Sequence, residues 1–180
     1  RQMYLFLDTE FTDFKDCDLI SLVLVSEDCQ HEFYVEIIDH KVEWQSDFVK
    51  EVIVPLLDND KYGMKFDDAA RALKEWIDQL PSGQKVEIIV DYGMDHQLLL
   101  NLLEGAKPSR DFGCYMLEKA FVGALHERGF HILERFQEVW LKVVVGIEDY
   151  YVNLDSRRHH ALVDAKANRS GWIKGLKHAE

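Results

Sequence analysis

Proline, glycine and cysteine are scarce in this chain: 3, 10 and 3 of 180 residues. So little proline and glycine excludes collagen-like and low-complexity arrangements. Cys17, Cys29 and Cys114 are odd in number and lack paired metal-ligand spacing. They read as free thiols in a reducing cytoplasm. Long apolar runs are also missing. The longest are short segments such as Met3–Leu7 and Leu22–Val25, far below the roughly 20 residues needed to cross a bilayer. The apolar stretch Met3–Leu7 meets Asp8 and Glu10 at once, so no signal peptide is drawn through it. Positive charge is in deficit as well, with 21 basic against 33 acidic residues and a net of −12. That balance argues against binding nucleic acid by bulk electrostatics. The acidity is concentrated at the front, where residues 1–60 hold 4 basic and 15 acidic side chains. A length of 180 residues with 47% hydrophobic content fits one domain over 1–180.

Hydrophobic patterning then sets the order of elements. Met3–Asp8, Leu19–Val25 and Glu32–Ile37 read as strands, with a polar turn at Ser26-Glu27-Asp28, which suggests an antiparallel meander. Phe48, Val49, Val52 and Ile53 recur at helical spacing, and Pro55 should end that helix. A second helix is expected over Phe66–Leu80, with Ala69, Leu73, Trp76, Ile77 and Leu80 as its apolar stripe. Val86–Val90 should be a strand, followed through Asp91-Tyr92-Gly93 by a helix over Met94–Leu103. Another helix is expected near Tyr115–Arg128. Leu141–Val145 fits strand or buried helix, and a last helix should run from His160 to Leu176. This order predicts an α/β domain with a mixed sheet and helices on both faces.

Three acidic motifs stand out on these elements. Asp8-Thr9-Glu10 closes the first expected strand, where residues two apart share a face. Asp8 and Glu10 would therefore project together, and a divalent cation would relieve their repulsion; hard oxygen ligands suit magnesium or manganese. Taken alone, the triplet reads first as a strand end meeting solvent. Asp95 opens a helix that follows a buried strand, which also suits a plain capping aspartate. Asp91 is its rival at the same sheet edge. Asp164 lies in the first turns of the last helix beside the small residues Ala161 and Ala165. There a carboxylate needs a partner or a metal, unless it is simply exposed.

Taken in order, Asp8-Thr9-Glu10, Asp95-His96-Gln97-Leu98-Leu99 and His159-x-Ala-x-x-Asp164-Ala resemble the three motifs of the DEDDh 3'-5' exonucleases. That superfamily includes RNase T, oligoribonuclease and the proofreading exonucleases. The likeness is strongest to small bacterial 3'-5' exoribonucleases, in which a turn like Asp91-Tyr92-Gly93 precedes the second motif. The resemblance implies a ribonuclease H-like fold. It also implies hydrolysis of RNA 3' ends to nucleoside monophosphates with two divalent cations, Mg2+ or Mn2+. Asp8, Glu10, Asp95 and Asp164 would be the metal ligands and His159 the general base. Thr9, Phe11, Thr12 and Phe14 would bind the terminal nucleotide, Phe14 by stacking, although a core position for that ring is an equal alternative. Arg157, Arg158, Lys166 and Arg169 offer themselves to backbone phosphates or form an ordinary solvated face. Helical spacing favours His160, four residues before Asp164, as the partner of the site, whereas the family spacing favours His159. Both hold if the helix begins just after His159. A homodimer, single-stranded RNA as partner, and DNA as the alternative substrate are further expectations of the resemblance. A catalytically inactive nucleic-acid-binding module of the same fold is the competing reading.

Overall fold

The computed structural model describes residues 2–103, 112–116 and 132–177. Strands β1 (Gln2–Phe11), β2 (Leu19–Ser26) and β3 (Glu32–Ile37) form the expected antiparallel meander. Every residue of β2 is buried, which explains why it reads as an unbroken apolar run rather than an alternating one. The turn after it is closed by Ser26, whose hydroxyl donates to Asp28 Oδ1 (2.6 Å) and accepts the His31 N–H (3.0 Å).

The connection beyond β3 is irregular. Val42–Trp44 forms a 3-10 turn, Val49–Ile53 a π-helical turn and Val54–Leu56 another 3-10 turn containing Pro55. The helix expected at Phe48–Ile53 is therefore a wide turn. Pro55 lacks the N–H that would extend it. Helix α1 (Asn59–Tyr62) and the two-residue strand β4 (Gly63–Met64) follow.

Helix α2 (Phe66–Gln79) buries Ala69, Leu73 and Ile77 of the expected stripe, while Trp76 is partly buried and Leu80 is the buried cap just past its end. Strand β5 (Lys85–Val90) runs parallel to β1 and leads into α3 (Gly93–Leu103). Strand β6 (Phe112–Met116) adds in parallel to the edge of β5. Tyr115 and Met116 thus end a strand, paired with Ile89 and Val90, instead of starting the expected helix. The open edge of β5 offers a ladder that a β-prone run satisfies. The rest of that expected helix lies outside the described residues. Leu141–Val145, whose pattern fits strand or buried helix, lies within the long helix α4 (Ile132–Asn153). Helix α5 (Ala161–Lys177) completes the order.

The sheet order is β4-β3-β2-β1-β5-β6. One face packs Leu5, Leu7, Leu22 and Ile88 against α2 and α3 through Leu73, Ile77, Leu98 and Leu102. The other packs Phe6, Val23, Val25 and Ile89 against Val143 of α4 and Ala161, Ala165 and Trp172 of α5. Ala161 and Ala165 are fully buried, so their small side chains let α5 lie close to the sheet. Glycine sets the α4–α5 crossing. A Cβ on Gly171 would lie 2.6 Å from the Val143 carbonyl oxygen, and one on Gly146 would lie 3.0 Å from Gly171 Cα.

Candidate metal and active site

The site begins where β1 outruns its parallel neighbour. Pairing with β5 ends at Phe6 and Ile89, but β1 continues to Phe11. The triplet Asp8-Thr9-Glu10 therefore lies inside β1, not at its end. A bulge between Glu10 and Phe11 then breaks the register with β2. Strand alternation puts Asp8 and Glu10 on the α5 face and Thr9 on the α3 face. Asp91 follows the end of β5. Asp95, only 2% exposed, sits in the first turn of α3. Thr9 joins them across the sheet: its hydroxyl donates to Asp95 Oδ1 at 2.6 Å. Asp164 comes from the first turn of α5 and is fixed twice. The Tyr151 hydroxyl of α4 donates to Oδ1 at 2.6 Å, and the His159 backbone N–H donates to Oδ2 at 3.0 Å.

Two groups of carboxylates result, each with ligand atoms within 4.8 Å of one another: Asp8, Glu10 and Asp164, and Asp8, Asp91 and Asp95. Asp8 belongs to both. Among the described residues, no lysine or arginine forms an ion pair with any of the five. The electrostatic cost shows in their proton affinities. Burial, with repulsion from Asp95, Asp91, Asp164 and Glu10, raises Asp8 well above the usual carboxylate range. Burial and the charges of Asp164, Asp95 and Asp91 push Glu10 up to about 9. Asp95 is pushed up to about 7, mainly by burial, against the opposing hydrogen bond from Thr9. Burial also raises Asp164, offset in part by Tyr151 and His159. Asp8 Oδ2 is buried with no hydrogen-bond partner among the described residues. An orphaned carboxylate oxygen among converging hard oxygen donors fits a divalent cation.

The two histidines part company. Helix α5 starts at Ala161, so both lie on the turn before it. His159 has a left-handed backbone (φ 63°) and an exposed side chain, with its ring edge-on to Phe48 at 5.1 Å and 89°. His160 is 6% exposed and stacks on Tyr34 at 5.3 Å and 30°. Burial and the neighbouring Arg157 hold its imidazole below the ordinary value.

The four residues expected at the nucleotide fare differently. Phe14 is 71% exposed, so it is not a core ring. It meets Phe11 at 5.2 Å and Tyr92 at 6.1 Å, both edge-on. Phe11 packs partly on the core. Thr12 is fully buried; its hydroxyl donates to the Asp16 carbonyl (2.6 Å) and accepts the Asp18 N–H (2.8 Å), closing the loop after β1. The hydroxyls of Thr9 and Thr12 thus have partners inside the protein. The four basic residues offered to phosphate are also engaged: Arg157 with Asp155, Arg158 with Glu148, Lys166 with Glu32, and Arg169 with the Glu27 carbonyl. Spacing alone did not find Tyr92, Phe48 or Tyr151. Asp91 was visible as a rival to Asp95, and the structure brings both into one group.

Comparison with protein-family models gives no match, and comparison with curated proteins gives none. Solved structures do match. One, described as "3'-end specific recognition of histone mRNA stem-loop by 3'-exonuclease", aligns with a TM-score of 0.60 at 14% identity. The alignment covers 97% of this chain and 64% of that one, so this chain spans about two thirds of that neighbour's length. The shared fold is ribonuclease H-like, an α/β mixed sheet with helices on both faces.

Proposed function

We propose that this chain is a metal-dependent 3'-5' exoribonuclease, removing nucleoside 5'-monophosphates from single-stranded 3' ends. The observation that carries the reading is the pair of carboxylate groups sharing Asp8. A fold in common with a 3'-exonuclease supports it. Divalent cations bound there would lower the pKa of an attacking water and neutralise charge on the phosphate and the leaving 3' oxygen. Asp8 and Glu10 with Asp164 would hold one cation; Asp8 with Asp95 and Asp91 would hold the other. Thr9 and Tyr151 orient Asp95 and Asp164 by hydrogen bonds. His159 takes the proton of the water whose oxygen joins phosphorus. The bond from phosphorus to the 3' oxygen of the preceding nucleotide breaks, and that oxygen gains a proton. Phe14, with Tyr92 beside it, offers an exposed aromatic surface to the terminal base. RNA is chosen on the motif resemblance and on the RNA named for the structural neighbour.

The test is digestion of matched end-labelled RNA and DNA oligomers with magnesium, manganese or EDTA. The expected result is metal-dependent release of mononucleotides from RNA 3' ends. His159→Ala should lower turnover by roughly 10²–10⁴, the usual contribution of a general base. Preferential cleavage of DNA would move the substrate to the alternative. Absence of cleavage of either, with metal bound, would favour a binding module.

A further inference from the structure

His160 is not the exposed histidine of the site, yet its position ties it to Asp164. Its carbonyl oxygen accepts the N–H groups of Val163 (2.8 Å) and Asp164 (3.0 Å), so the first turn of α5 hangs from this residue. Its ring lies on Tyr34 of β3. Tyr34 pairs in register with Val23 of β2, and Val23 pairs with Asp8 of β1. The stack therefore holds the start of α5 against the row of the sheet that carries Asp8. Tyr34 is itself braced. Its hydroxyl donates to Glu36 Oε1 (2.8 Å), which also accepts the Asp58 N–H (3.1 Å), and its ring meets Tyr62 at 4.9 Å. Glu36 is fully buried. His160 Nδ1 has no hydrogen-bond partner among the described residues. Ring stacking and burial, rather than a hydrogen bond from Nδ1, hold the imidazole.

We propose that His160 is a positioning residue: its stack on Tyr34 sets the start of α5 so that Asp164 meets Asp8 and Glu10, and it leaves His159 exposed on the turn. This rests on the metal-site reading above. The consequence is specific, because a flat apolar ring should serve as well as imidazole. His160→Leu fills similar space without a ring, while His160→Phe keeps one.

Three quantities are measured on the full chain: turnover of an end-labelled RNA oligomer, its KM, and the rise in melting temperature caused by manganese alone. Loss of groups that orient metal ligands costs about 10–100-fold. His160→Leu should therefore lower kcat by at least about tenfold and blunt the manganese shift, with KM changed less than about twofold. His160→Phe should restore both to within about threefold of the parent. A merely structural role would lower the metal-free melting temperature but leave kcat and the manganese shift untouched, which overturns the proposal. A Phe variant as impaired as Leu overturns it too. If the parent hydrolyses neither RNA nor DNA, the exonuclease reading falls, and the manganese shifts of the two variants still decide the role of His160.

Discussion

Cation binding should expel protons from this site. At pH 7 the Glu10 carboxyl, pushed up to about 9 by burial and by Asp164, Asp95 and Asp91, keeps its proton almost completely. Asp95, pushed up to about 7, keeps about half of one. Asp8 is raised as well, by burial and then by Asp95. A ligating carboxylate must be ionised, so loading at pH 7 should release on the order of 1.5 protons from Glu10 and Asp95. These groups titrate as a set, and the count belongs to the cluster. Titration calorimetry with manganese chloride in PIPES and in Tris measures it, because the heat differs by the buffer's ionisation enthalpy times the protons released. Equal heats in the two buffers at pH 7, after correction for manganese binding to each buffer, would refute the reasoning. They would mean that the carboxylates are already charged before any cation arrives.

The same shifts fix the sign of the pH dependence of stability. Groups whose folded pKa exceeds the unfolded one stabilise the fold fully below the unfolded value and lose that contribution as pH rises through the folded one. Glu10 spans 4.5 to about 9 and Asp95 spans 3.8 to about 7. The metal-free protein should therefore lose stability across that window, and manganese should flatten the loss. Melting curves from pH 5 to 9 with and without manganese check this; a metal-free stability that climbs over that range contradicts it.

Other expectations follow from single contacts. Asp8→Asn removes a charge from both carboxylate groups; the metal-free variant should melt about 2–4 °C higher at pH 8, for roughly 1 kcal/mol of relieved repulsion, and manganese should shift it less. A lower melting point would count against crowding at Asp8. Thr9→Val deletes the 2.6 Å hydrogen bond to Asp95, so half-saturation by manganese should need about 10–100-fold more metal. An unchanged titration would show that Asp95 needs no such support. Phe14→Ala should raise KM for RNA by about tenfold with little change in kcat, since stacking a base is worth about 1–3 kcal/mol; an unchanged KM would remove Phe14 from the substrate surface.

Period and spacing made β1, β2, β3 and β5 legible as short apolar runs and α2 legible as a half-buried helix with one repeat. They did less well where an apolar run fits two periods. The run of 132–153 carries apolar residues on several sides, with Leu141 and Val145 exposed and Val143 buried, so its pattern fits two structures. The turn at Val49–Ile53 has helical spacing, but its hydrogen bonds are wider than an α-helix requires. Neither feature is written in the apolar pattern. At the site, Asp8, Glu10, Asp95 and Asp164 were visible as motif residues, and the structure brings their carboxylates together. Tyr151 was invisible, since its meeting with Asp164 depends on the α4–α5 crossing, thirteen residues away in sequence. Paired states of Arg157 and Arg158 were equally hidden, because charge counts do not say which neighbours neutralise which.

The cohesion of the site rests on the two-residue period of β1. Asp8 and Glu10 share a face with Phe6 and reach Asp164 of α5, while Thr9 shares the other face with Leu7 and reaches Asp95 of α3. One extended strand therefore joins the first turns of two helices on opposite sides of the sheet. A one-residue slip would exchange these roles: the threonine would meet Asp164, and the two carboxylates would enter the leucine-lined core. That core fixes the register. Leu5 and Leu7 are buried on one face and Phe6 on the other, so burying them correctly also sets Asp8 between the two carboxylate groups. The bulge between Glu10 and Phe11 comes just after the last of these side chains. It frees the chain to turn into the loop that Thr12 closes and that presents Phe14 beside the carboxylates' own turn at Tyr92. Strand packing and ligand placement are thus one constraint, satisfied by the same six residues.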